Sequence, residues 1–232
     1  ALKKHPAEVV ILASPTATHA TLLRKILKVG QPKAILCEKP LAERPAEALA
    51  MVRLCQRRGV SLFVNYMRRS DPAVLQVEQQ IRKGEILPPL RGVVWYTKGF
   101  LHNASHFFQL LEFWLGPARR GRLLGKPRRR GKSDADAEIW VEFRKGTVSF
   151  QCLWADAYAH AEMQLFSPQG RLRYEQSGSR VIWEQARQDP LYPQEASLQE
   201  RGVEIRNGMK TCLWQVADQL AHALAGRRAA LC

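Results

Sequence analysis

Two short apolar runs with a helical stretch between them are the strongest constraint on how this chain can fold. Glu8-Val-Val-Ile-Leu-Ala-Ser14 holds an unbroken apolar core between polar flanks, and Ala34 to Cys37 is a second such run. Runs of this length without alternation read as strands buried on both faces, as in a parallel sheet. Pro15-Thr-Ala-Thr-His19 breaks the first run, and Ala20 to Val29 then carries Leu22, Leu23, Ile26 and Leu27 at helical spacing. Gly30 stops that helix and Pro32 opens the next strand. The order is that of a βαβ unit, about thirty residues long. A helix over Ala46 to Arg58 and a strand at Val60-Ser-Leu-Phe-Val64 repeat it, which predicts a parallel sheet with right-handed crossovers.

Glu38-Lys39-Pro40 follows the second strand directly. In open α/β sheets, ligands bind in the crevice outside the carboxyl ends of the strands, so Lys39 stands where a cofactor or substrate would arrive. Pro40 biases Lys39 towards extended backbone. Taken alone, these three residues read more readily as a solvated Glu38–Lys39 pair on a loop.

After Asn65 the pattern changes. A helix is expected from Pro72 to Lys83, a strand from Leu90 to Thr97, and a helix of about ten residues from His106 to Leu115. From Glu138 the chain alternates with period two: Ile139, Val141 and Phe143, then Val148, Phe150, Cys152 and Trp154 beyond the Arg144-Lys-Gly146 turn. Further strands are expected at Ala161–Phe166, Arg171–Glu175 and Arg180–Glu184, which makes a run of antiparallel strands. An amphipathic helix from Met209 to Leu224 should cover one face of that sheet. The division that follows is a parallel α/β part over residues 1–66 and an open, mostly antiparallel α+β part over residues 67–232.

Composition narrows the function classes. The 46% hydrophobic and 25% charged content is that of an ordinary globular protein. No apolar run approaches the ~18 residues that would suggest a membrane span. Ala1-Leu-Lys-Lys-His-Pro6 lacks the apolar core of a signal peptide. Five scattered cysteines without a CxxC pair point to reduced thiols and a cytoplasmic setting. The net charge of +15 is concentrated between Arg119 and Lys132. Such a run could bind nucleic acid or phosphate, but it contains no aromatic residue on which a base could stack. It reads as a solvated loop between structured segments.

With these elements placed, the sequence resembles the Gfo/Idh/MocA family of NAD(P)-dependent oxidoreductases. Val9-Val-Ile-Leu-Ala-Ser-Pro-Thr16 with His19 is similar to a strand of the family and its TP…H turn, and Cys37-Glu-Lys-Pro-Leu41 to its EKP signature. Asn65-Tyr-Met-Arg-Arg-Ser-Asp-Pro72 resembles its interdomain segment. Gly99-Phe-Leu-His-Asn-Ala-Ser-His106 resembles its substrate-side histidine motif. The resemblance implies a Rossmann domain, of which residues 1–66 would be the C-terminal half, followed by a substrate and oligomerisation domain. It implies NAD or NADP as cofactor, with Ser14, Pro15, His19, Glu38, Pro40 and Arg68 lining the cofactor cleft. Lys39 and His106 would be catalytic, with His102 and Asn103 on the substrate side. Histidine suits general acid/base work near neutrality. An ammonium suits a developing alkoxide. The family often has aspartate where His102 stands. His102 and His106 could also be metal ligands four residues apart, but no partner carboxylate or cysteine is evident in the adjacent sequence, and no metal is assigned.

The family's GxGxxG turn is not found in these 232 residues, so the chain is expected to be a fragment or a truncated relative. The favoured function is hydride transfer between a nicotinamide and a secondary alcohol of a sugar or nucleotide-sugar, by a homo-oligomer with no nucleic-acid or membrane partner. The alternatives are a non-catalytic binding or assembly module and, from charge alone, a nucleic-acid binder.

Overall fold

The computed structural model describes residues 5–131 and 134–232. Lys132, the end of the basic run, and the first four residues of the N-terminal stretch lie outside the described residues. The chain divides into two compact units: Ala1–Met67 with Val216–Cys232, and Arg68–Gln215.

The first unit is a three-stranded parallel sheet. Strand β1 (Val9–Leu12) leads through helix α1 (His19–Val29) to β2 (Ala34–Glu38), and then through α2 (Pro45–Arg57) to β3 (Ser61–Asn65). Strand β2 is central, with Val9 opposite Ala34 on one side and Ala34 opposite Ser61 on the other. Its apolar run is unbroken because both faces are covered. Ile35 and Cys37 pack on Leu23, Ile26 and Leu27 of α1 and Met51 and Cys55 of α2. Ala34 and Leu36 pack instead on Val216 and Leu220 of the C-terminal helix. That helix was expected on the antiparallel sheet. Its apolar stripe matches any flat apolar surface, and only the tertiary fold selects which one it covers.

The second unit opens with α3 (Pro72–Lys83), β4 (Leu90–Tyr96) and α4 (Ser105–Leu115). Its strands then run β5 (Ala118–Leu123), β6 (Arg128–Arg130), β7 (Asp134–Asp136), β8 (Ile139–Phe143), β9 (Gly146–Cys152) and β10 (Ala161–Ser167). They continue through β11 (Gly170–Glu175), β12 (Arg180–Gln188), β13 (Ala196–Leu198) and β14 (Val203–Ile205) to α5 (Cys212–Leu224), the C-terminal helix. The large sheet has the order β13-β12-β11-β10-β4-β9-β8-β5, with β14 also on β12. Every pairing in it is antiparallel except β4 with β9. Period-two alternation puts Val148, Phe150, Met163, Leu165, Leu172 and Tyr174 on the inner face, under Val77 and Ile81 of α3 and Phe107, Leu110 and Leu111 of α4. Trp154 lies beyond the end of β9 rather than within it.

The basic stretch is not a loop. Residues 118–123 form an edge strand antiparallel to β8, and Arg128–Arg130 pair with Asp134–Asp136 in a separate hairpin. Strand β5 is exposed at every position, so it carries no apolar alternation by which its sequence could have been read as a strand. Exposed charge on an edge strand also discourages pairing with other chains.

Asp71 closes the second unit at its start. Its Oδ1 accepts the Ala73 N–H at 2.8 Å as the N-cap of α3, and its Oδ2 accepts the Gly208 N–H at 2.8 Å. Asp71→Ala removes both acceptors from a buried site and should lower stability by about 2–3 kcal/mol in denaturant titration. Burial pushes the carboxyl up from its ordinary value, against the backbone N–H groups that lower it. A raised folded-state pKa gives stability that is fully present below the unfolded value and lost as pH rises through the folded one. The stability of Asp71→Asn relative to the parent should therefore improve as pH rises through that window. Parallel stability–pH curves would contradict it.

Candidate functional site

In the first unit, the segments after the strands are tied to one another by side chains. His19, fully buried, reaches the Ser14 carbonyl with Nε2 at 2.8 Å and the Leu41 carbonyl with Nδ1 at 3.1 Å. It thereby joins the Ser14–Pro15 turn after β1 to the Glu38–Leu41 segment after β2. Both partners only accept, so a ring with two N–H groups serves both and a neutral ring serves one. Thr18 Oγ1 lies 2.8 Å from Ser14 Oγ and donates to the Pro15 carbonyl at 2.7 Å. Glu38 and Asn65 stand opposite each other at the carboxyl ends of β2 and β3, and Asn65 Nδ2 donates to Glu38 Oε1 at 2.7 Å. The Lys39–Pro40 peptide is cis. Ser14, Pro15, His19, Glu38, Lys39 and Pro40 are thus gathered at the carboxyl edge of one sheet, with Glu38, Lys39 and Pro40 half-buried. Cys37, just beneath, is inert by environment: burial, then the charge of Glu38, pushes its thiol up to about 12.

In the second unit, helical backbone begins before His106, where the sequence pattern placed the start of the helix. Phe100–Ala104 form a π-helical turn that runs straight into α4. Neither Asn103 nor Ser105 caps it: Asn103 Nδ2 donates to the Thr97 carbonyl at 3.0 Å, and Ser105 Oγ to the Leu101 carbonyl at 2.7 Å. The acceptors for the free N–H groups come from β7. Asp134 Oδ1 takes the Leu101 N–H at 2.9 Å and Oδ2 the His102 N–H at 3.0 Å, while Asp136 Oδ1 takes the Gly99 N–H at 2.9 Å. Two carboxylates therefore do reach the His102 turn, through its backbone. Asp134 and Asp136 share one side of the strand, and that Asp-x-Asp spacing was the only signal of their role in the sequence. Tyr96 fixes Ala137, the next residue, with its hydroxyl donating to the carbonyl at 2.6 Å and accepting the N–H at 2.9 Å. His102 is exposed and His106 only 7% exposed. Among the described residues no three His, Cys, Asp or Glu side chains form a metal-binding group. Arg68 is buried in this unit and donates from Nε to the Ser177 carbonyl at 3.3 Å.

Gly99 has φ +90°, and a Cβ there would collide with the Asp134 carboxylate. Gly99→Ala should thus displace Asp134 and release the turn. Asp134→Ala removes the same two bonds from the other side and should cost about 1–3 kcal/mol. Both variants should melt early and show faster amide exchange at Leu101 and His102. Unchanged exchange in either would contradict the clamp.

This architecture, a parallel α/β sheet followed by a mixed, mostly antiparallel sheet, is shared with solved proteins of known fold. A solved NAD binding oxidoreductase from Klebsiella pneumoniae superposes with a TM-score of 0.75 at 17% identity, over 98% of this chain and 74% of that one. The WlbA dehydrogenase from Bordetella pertussis, solved with NADH and UDP-GlcNAcA, superposes with a TM-score of 0.70 at 18% identity, over 98% and 72%. At such identities the likeness shows the fold. Residues 1–66 match the model of an oxidoreductase family with an NAD-binding Rossmann fold. The scyllo-inositol 2-dehydrogenase (NAD(+)) of Bacillus subtilis is 28% identical in an alignment that covers 61% of this chain and 46% of that protein. The likeness to this oxidoreductase family is carried by residues 1–66. The matched segment spans about half the length of that curated relative.

Proposed function

We propose that this chain belongs to an enzyme passing a hydride between NAD or NADP and a secondary alcohol carbon of a sugar or nucleotide-sugar. The cross-tied carboxyl edge of the first unit carries the reading, because His19 and the Glu38–Asn65 pair hold Lys39 on a preorganised segment where α/β sheets bind ligands. These residues fit the nicotinamide side of such a cofactor. No GxGxxG occurs in the chain, so no residue here is assigned to the pyrophosphate. When bound, the cofactor supplies the hydride acceptor. Ser14, Pro15, His19, Glu38 and Pro40 position its nicotinamide side. Arg68, whose Nε donates to the Ser177 carbonyl, belongs to the cofactor-lining set in the same reading. Lys39 holds the substrate oxygen as charge develops on it, and His106 takes the hydroxyl proton. His102 and Asn103 orient the sugar from the clamped turn. A homo-oligomer in the cytoplasm belongs to the same reading, supported by Trp95 and Phe166 exposed on the outer face of the large sheet.

The test is cofactor reduction by the purified protein with NAD and with NADP, against inositols, free sugars and sugar nucleotides. Turnover with any of them supports the reading. No reduced cofactor with the whole panel would favour the non-catalytic binding module.

A further inference from the structure

Two cavities of the second unit, about 590 Å³ and 300 Å³, share Arg128, Asp136 and Trp154 in their walls. They make one trough, with Arg129 and Asp156 lining one part and Lys126 the other. The basic stretch has no aromatic residue of its own, but the fold supplies one: Trp154, just past β9 and 65% exposed, stands beside the β6 arginines. Arg130 is held by Asp136 at 3.1 Å, and Arg128 lies 3.9 Å from the same carboxylate. The side chains of Lys126 and Arg129 are exposed. An exposed indole beside exposed cations is the pairing that takes a planar ring carrying phosphate. The volume is that of a small-molecule pocket.

We propose that this trough binds the nucleoside diphosphate portion of a nucleotide-linked sugar, with the base stacked on Trp154 and the phosphates taken by Arg129 and Lys126. The proposal rests on the reading above and narrows its substrate class. Asp136 connects the trough to that reading, because the carboxylate that holds Arg130 also accepts the Gly99 N–H at the start of the His102 turn. A substrate anchored by its diphosphate would lie against the hairpin that clamps the substrate-side turn. The lining argues against a nucleic-acid polymer: Asp136, Glu138 and Asp156 interrupt the positive track that successive phosphates need.

The test is titration of the intact protein with UDP, uridine and pyrophosphate, by calorimetry and tryptophan fluorescence. UDP should bind more tightly than either part. Trp154→Ala and Arg129→Ala should each weaken it about tenfold, in line with the loss of a stacking or phosphate contact. Both side chains are exposed, so unchanged melting would confirm intact folding. UDP affinity that is absent, or equal in the parent and both variants, overturns the subsite. So does pyrophosphate binding as tight as UDP and unaffected by Trp154→Ala, or a single-stranded oligonucleotide that binds more tightly than UDP. Turnover of a free inositol without UDP binding would overturn the subsite and leave the dehydrogenase reading standing. UDP binding lost in both variants, in a protein that reduces no cofactor, would do the reverse.

Discussion

Lys39→Ala should cut turnover by about 10²–10³, or roughly 3–4 kcal/mol of transition-state stabilisation, while changing cofactor affinity far less. The ammonium acts on charge that is small in the bound alcohol and large in the developing alkoxide, so its loss falls on kcat. The segment that carries it is held by His19 at Leu41 and by the Glu38–Asn65 bond, so the substitution should leave the backbone in place. Lys39→Arg should rescue little, since a planar fork does not reproduce a compact point charge. If Glu38 and Lys39 were only an exposed ion pair, the effect would be below about 1 kcal/mol and turnover would hold. Steady-state kinetics with NAD or NADP and a sugar substrate decides between the two. Wild-type kcat in Lys39→Ala would remove Lys39 from the mechanism.

His106→Asn should lower kcat by about 10²–10⁴, the usual contribution of a positioned general base. Part of the loss should return as pH rises, because more alcohol ionises without help. His106 sits at 7% exposure in the first turn of α4, immediately after the π-helical turn. The backbone clamp by Asp134 and Asp136 holds the turn that leads into this helix. A base role predicts a changed pH profile of kcat/KM as well as a lower rate. A variant with reduced kcat but the parent's pH profile would make His106 a packing residue.

Much of this protein was legible in the amino-acid order, because local patterns carry local structure. The unbroken run of β2, the period-two strands from β8 onward, and the Asp71-Pro72 start of α3 each encode their element through burial or capping, whereas the similar run of β1 forms a strand with Ile11 exposed rather than buried on both faces. Glu38-Lys39-Pro40 was legible as a site candidate for the same reason: the end of a buried parallel strand is a position defined by sequence. Strand β5 was not legible. An edge strand exposed on both faces is held by backbone hydrogen bonds to β8, and backbone groups are the same in every residue. The placement of α5 was not legible either, since Val216 and Leu220 specify an apolar stripe and not the surface that receives it. The deepest omission lay in the contacts across some thirty residues of chain. Asp134 and Asp136 hold the Gly99–His102 turn, and Trp154 stands beside Arg128, only because the β6–β7 hairpin and the end of β9 converge in space. Composition and periodicity describe what each segment buries. Which polar groups satisfy one another across the fold is decided when the sheet is assembled, and that is where the site is shaped.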